Sequence, residues 1–323
     1  MPAKKFFKKA SILIILVITP VITAERILGR AYMQDFTTLF FSIFLEALPY
    51  ILAGTIISVL IQIYVAPETI KKVLPRRLLP GLLLGAAAGV IFPVCECGII
   101  PVARRLIQKG VPLPVAVTFM LAAPVINPVA LASTAAAFND AGWAWARGFF
   151  AFFVAVWTGF LISRPAGGNQ LKNGGGTCAG CCDHDHAHGG GGLIVVLQHI
   201  ADDFLNLSVY LILGSFIASA AQVIIPREHL LALGGHPLSS SAAMMTLAYV
   251  LSLCSEADAF VAATFLDSFT HGSILAFLLL GPMLDLKNSF MLFSTFNTRF
   301  VILLSLILVL DIFILSLAVN LAR

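Results

Sequence analysis

Charge is scarce in this chain. Only 11% of its 323 residues are Asp, Glu, Lys or Arg, and 59% are hydrophobic. A large soluble domain has no room beside so much apolar sequence. In that setting a net charge of +4 does not point to nucleic acid. The chain also lacks a G-x-x-x-x-G-K-[ST] loop and a G-x-G-x-x-G turn, so nothing in it suggests nucleotide binding. The few basic residues gather in two places. One group is Lys4, Lys5, Lys8 and Lys9, and the other is Lys71, Lys72, Arg76 and Arg77. Two apolar runs separate them, so the positive-inside rule places both groups in the cytoplasm.

What the chain has in abundance is apolar runs longer than the ~18 residues that cross a bilayer. Candidate spans are 11–30, 36–63, 78–108 (broken near 95), 112–138 (broken near 124), 142–163, 203–225, 241–267 (broken near 254), 271–299 (broken near 282) and 300–320. The expected fold is an all-α polytopic membrane protein with about eight to ten transmembrane segments. The run 11–30 is expected to stay as a span, although its basic start and Ala24 also fit a signal peptide.

The spans fall into two similar halves. Tyr50-Ile51-Leu52-Ala53-Gly54 matches Tyr210-Leu211-Ile212-Leu213-Gly214. Cys95 falls opposite Cys254, and Pro124 and Asn127 fall opposite Pro282 and Asp285, all at nearly one offset. Matching interruptions in two halves of a membrane chain point to a transport site between them. The expected organisation is an N-terminal half over 1–163, a flexible Gly/Cys/His-rich linker over 164–192 and a C-terminal half over 193–323.

Two groups of residues carry chemistry. The first is the break Phe92-Pro93-Val94-Cys95-Glu96-Cys97-Gly98-Ile99-Ile100-Pro101. Thiols and a carboxylate are costly at membrane depth unless they bind or pair. Irregular backbone survives there only inside protein or along a cavity. The substrate path is therefore expected to run past Cys95, Cys97 and Asn127 in the first half and Cys254, Glu256, Asp258 and Asp285 in the second. Glu96 is the weaker member, since a break can turn it to the other side. Lys287 or Arg299 could instead neutralise Asp285, and buried cysteine is often only a small hydrophobe. Glu46, inside an apolar span just before Pro49, is the candidate for carrying protons. The second group is the linker set Cys178, Cys181, Cys182, His184, His186 and His188. A C-x-x-C pair with alternating imidazoles suits zinc or copper, as substrate or loop ligand. No resident cofactor is required.

The stretches Pro93-Val94-Cys95-Glu96-Cys97-Gly98-Ile99-Ile100-Pro101, Ala122-Ala123-Pro124-Val125-Ile126-Asn127-Pro128 and Leu253-Cys254-Ser255-Glu256 resemble a bacterial predicted-permease family. That family includes the trivalent organoarsenical efflux permease and a copper/zinc efflux branch. The resemblance covers most of 36–310 and implies a multi-pass export permease of the inner membrane. It also implies a smaller membrane protein as partner in a two-component complex. Glu96 departs from the Cys-Ser-Cys form of the metal branch. The substrate expected is a thiophilic species: a metal ion such as zinc or copper, or alternatively a trivalent organoarsenical. A reading from another class is a thiol-based redox or sensor protein, in which Cys95 and Cys97 cycle with a partner's thiols.

Overall fold

The computed structural model describes residues 30–64, 70, 74–75, 77–91, 95–164, 170–171, 192–224 and 237–322. The linker set at 178–188 and the first expected span, 11–29, lie outside the described residues. Helix α1 runs Arg30–Tyr64, α2 Leu78–Ile91, α3 Glu96–Gln108, α4 Leu113–Ile126, α5 Pro128–Phe138 and α6 Ala141–Ile162. Then come α7 Gly192–Ile224, α8 Pro237–Leu251, α9 Ser255–Ala263, α10 His271–Met283, α11 Leu286–Thr295 and α12 Thr298–Leu321. The described residues contain no strand, only one isolated bridge between Leu171 and Phe296.

Helices are what lipid allows, because each backbone donor and acceptor is satisfied within its own segment. Six stretches among the described residues are long and apolar enough to cross a bilayer, and 78–91 and 238–251 form shorter apolar helices. The surface agrees. On α12 Val301, Leu304, Leu308 and Ile312 are buried, while Ile302, Leu306, Leu310 and Ile314 are exposed. Such an apolar outer stripe would be a liability in water and is the ordinary lipid-facing side of a spanning helix. The chain is a multi-pass membrane protein.

Helices α4 and α10 form the centre. Their spans are the most buried of the six, and they touch each other. Around α4 pack α2, α3 and α6; around α10 pack α8, α9 and α12. The long helices α1 and α7 lie side by side, with α3 against α1 and α11 against α7. Glycine makes both of these last contacts. A Cβ built on Gly54 of α1 would fall on the Gly98 backbone of α3, and one on Gly214 would come within 2.9 Å of the Lys287 Cα of α11. With little hydrophobic drive between helices in lipid, such backbone approach is what holds them.

Two breaks lie further along than expected. Pro124 and Pro282 stay inside α4 and α10, which end at Ile126 and Met283. A proline removes its own donor but does not stop the turns after it. What ends α4 is the next proline: Asn127 precedes Pro128, and a residue before proline is pushed out of the helical region. Asn127 sits at φ −51° and ψ 130°. The helix expected over 203–225 also begins earlier, at Gly192.

Replacing Gly54 with Val should cost about 1–3 kcal/mol or prevent assembly, because the α1–α3 backbones must part. Gly148→Ala, whose Cβ would meet only Leu131 methyls at ordinary distance, is the control. Thermal unfolding of the detergent-purified chain separates the two.

Candidate functional site

Four helices start within the bundle, each from an N-cap residue with non-helical backbone: α3 at Cys95, α5 at Asn127, α9 at Cys254 and α11 at Asp285. Two caps explain themselves. The Asn127 side chain accepts the Val129 N–H at 2.9 Å, and the Asp285 carboxylate accepts the Asn288 N–H. These two residues satisfy donors that a helix start leaves free. Cys95 and Cys254 make no side-chain cap bond.

Two fully buried cations tie the four starts together. Lys287, in the first turn of α11, donates to Glu96 at 3.1 Å, lies 3.6 Å from Asp285 and reaches the Ser252 carbonyl at 3.4 Å. It thus joins α3, α11 and the α8–α9 break. Arg147, on α6, donates from one nitrogen to Thr134 Oγ1 at 2.7 Å, the Ser255 carbonyl at 3.0 Å and the Ala130 carbonyl at 3.5 Å. It thus joins α5 and α9. Paired ions are the form in which charge persists at this depth.

The thiols lie in two layers. Cys95 and Cys97 are both buried, free of any disulfide and close enough to interact. They sit beside the Glu96–Lys287 pair, and the Lys287 charge acts on Cys97. Cys254 is half-buried, with its thiol near the Glu46 carboxylate of α1. Tyr50, one turn beyond Glu46, lies near Glu256, Cys95 and Cys254 as well. A half-open layer of Glu46, Tyr50, Cys254 and Glu256 therefore adjoins the closed layer of Cys95, Cys97 and Glu96. Asp258 is apart from both. It is fully buried against α10, its Oδ2 only 2.5 Å from where a Cβ on Gly281 would stand.

The structure brings Cys95, Glu96, Cys97 and Asp285 together around Lys287, and brings Glu46 to Cys254. Glu96 is central, paired and fully buried, where sequence ranked it the weaker member. Among the described residues no group of three or more His, Cys, Asp or Glu side chains is arranged to hold a metal ion. Arg147 escaped the sequence reading. Its signal was a lone arginine inside the apolar span Ala141–Ile162. Lys287 had been considered only as a neutraliser of Asp285. Arg104, Arg105 and Lys109 mark the far end of α3, where Arg105 pairs with Asp203 at 2.6 Å and Lys109 donates to the Gln62 carbonyl at 2.7 Å.

Six apolar spans, and helices that start within the bundle, describe a polytopic membrane protein, and comparison with known proteins adds its family. The family described as "Predicted permease" (ArsP_1) matches residues 32–321, and the chain belongs to it. Its relatives include the "UPF0718 protein YcgR" of Bacillus subtilis, 44% identical over 274 residues, 83% of this chain and 90% of that protein. Another is the "Putative two-component membrane permease complex subunit" of Streptococcus mutans, 39% identical over 267 residues, 82% of this chain and 88% of that protein. No solved structure matches.

Lys287→Met should destabilise the chain by about 3–5 kcal/mol, since it strands the buried Glu96 and Asp285 charges. Adding Glu96→Gln should recover part of the loss. Denaturation in detergent of the single and double variants tests the pair, and equal stability of wild type and Lys287→Met would refute it.

Proposed function

We propose that the chain is an export permease subunit that passes a thiophilic solute from the half-open layer at Cys254 and Glu46 to the buried thiols Cys95 and Cys97. The observation that carries this reading is the placement of two buried thiols, two residues apart, at a helix break beside a buried ion pair. A thiol pair at membrane depth captures soft electrophiles, and helix starts at the midplane are where transporters bind their cargo. Glu256, Asp285 and Asn127 belong to the walls of this route, whereas Asp258 stands apart from it, against α10. The substrate is a metal ion such as zinc or copper, collected by Cys178, Cys181, Cys182, His184, His186 and His188 before entry.

A second substrate, a neutral trivalent organoarsenical, is favoured by one observation. The described residues offer neighbouring sulfurs but no set of three ligands for a metal ion. Two thiolates suffice for an arsenical.

The element sequence supports two homologous halves. Helices α1 to α6 correspond in order to α7 to α12, and the packing of α4 with α2 and α6 matches that of α10 with α8 and α12. Rocking of one half against the other would then alternate access. The name of the Streptococcus mutans relative supports a second membrane subunit as partner.

Cells lacking their own exporters, with and without this chain, should differ in zinc, copper or methylarsenite content. The Cys95→Ser, Cys97→Ser variant should abolish the difference while remaining in the membrane. Removing residues 178–188 should weaken metal export and leave arsenical export intact. Unchanged export in the double cysteine variant would sink the route.

A further inference from the structure

Five carboxyl or basic side chains are buried among the described residues: Glu96, Asp258, Asp285, Arg147 and Lys287. Three carboxylates face two cations, so the set carries one negative charge too many for a low-dielectric interior. One proton on one carboxyl balances it. Contacts decide which. Glu96 and Asp285 both touch the Lys287 ammonium, at 3.1 and 3.6 Å. Asp258 has no hydrogen-bond partner on either oxygen among the described residues. Arg147, the cation whose charge acts most strongly on it, keeps its own Nε and one terminal nitrogen unpartnered there too. The two groups attract each other but do not form an ion pair.

The other charges around Asp258 are few. Helix α5, packed against α9, carries no titratable side chain, and α10 carries only His271, at its far end and stacked on Trp143. Glu96, Asp285 and Lys287 lie within electrostatic reach, and Glu256 stands on the same helix.

We propose that Asp258 is the proton carrier of the transport cycle, with Arg147 as the partner it takes up when ionised. The inference rests on the permease reading. A proton from one side binds the Asp258 carboxylate and makes a neutral acid, which is the form that tolerates an unpartnered site against Gly281. When that proton leaves to the other side, the carboxylate swings to the free Arg147 nitrogens. Arg147 stays charged throughout, as a guanidinium does. Helix α9 has only nine residues, and Cys254 caps it one turn before Asp258. A shift of Asp258 toward α6 therefore moves the Cys254 thiol and Glu256. Proton occupancy at one end of a short rigid helix is thus linked to the shape of the thiol layer at the other.

Infrared spectroscopy of the purified full chain in lipid tests this without any transported solute. The carbonyl stretch of a protonated carboxylic acid should grow as pH falls, vanish in Asp258→Asn and persist in Glu96→Gln. Arg147→Gln should move its titration to higher pH, because the ionised form loses its partner. A band unchanged in Asp258→Asn overturns the proposal, and so does a band that sodium removes at constant pH. Should Asp258→Asn fail to fold, Asp258→Glu serves instead. The band must then change frequency or midpoint, and an identical band refutes the assignment. Zinc and methylarsenite flux into vesicles under an imposed pH gradient separates the two readings. Flux of either probe whose response to the gradient is the same in Asp258→Asn sinks the proton carrier alone. A titrating Asp258 band with neither probe moving leaves it standing and sinks the proposed cargo.

Discussion

The Lys287 ammonium stands where three chain segments would otherwise have no reason to meet. It comes from the first turn of α11, pairs with Glu96 at the first turn of α3 and reaches the Ser252 carbonyl just before α9. Each of these is a place where a helix has been interrupted, and each interruption frees polar groups that lipid cannot satisfy. One cation with three donors answers several of them together. The cost of burying it is large, so the arrangement persists only with both carboxylates in place. That constraint fixes the register of α3 against α11, and the register places Cys95 and Cys97 where they are. The thiol pair depends on an ion pair that is not itself chemically reactive.

Glycine makes that register reachable. Gly54 and Gly214 stand on the two longest helices, α1 and α7, and each lets its helix lie directly on the backbone of a broken one, at Gly98 and at Lys287. The residues met are the ones beside the ion pair. Close packing of α1 and α7 and the buried charge cluster are therefore one structural feature seen from two sides. A larger side chain at either glycine would move the helix starts apart and stretch the Lys287 contacts.

Much of this was legible in the sequence, for a physical reason. Lipid restricts backbone choice so strongly that apolar length alone locates spans, and breaks announce themselves through Pro, Gly and polar residues inside them. Cys95 and Cys254 stand at expected breaks, and each is an N-cap, whereas the breaks expected near Pro124 and Pro282 fall three residues later, at the N-caps Asn127 and Asp285. What sequence could not assign was pairing. Glu96 and Lys287 are 191 residues apart, and no local pattern says that they touch. Asn127 and Asp285 invite a reading as cargo ligands because polar atoms in lipid need an explanation, and capping gives each a structural role besides. The placement of the α4 break at Asn127, not Pro124, turns on a rule about the residue before proline that span-level reading passes over.

Asp258 shows how a buried polar group can be informative through the contacts it does not make. A buried ionisable side chain in a membrane helix costs several kcal/mol of desolvation unless something bonds it. A carboxyl kept in a fully buried position, against a glycine whose missing Cβ makes room for it, is explained by packing only if something bonds it. Glu96 and Asp285 meet that condition through Lys287, and Asp258 does not. Arg147, with two nitrogens unpartnered among the described residues, is a partner in waiting for a different charge state. A site whose ionised and neutral forms prefer different contacts is bistable, and a short helix bearing that site at one end and a thiol at the other converts a proton into a displacement. The same bundle then needs only one titrating group to couple ion movement to its thiol layer, and the remaining buried charges serve to hold the frame against which that helix moves.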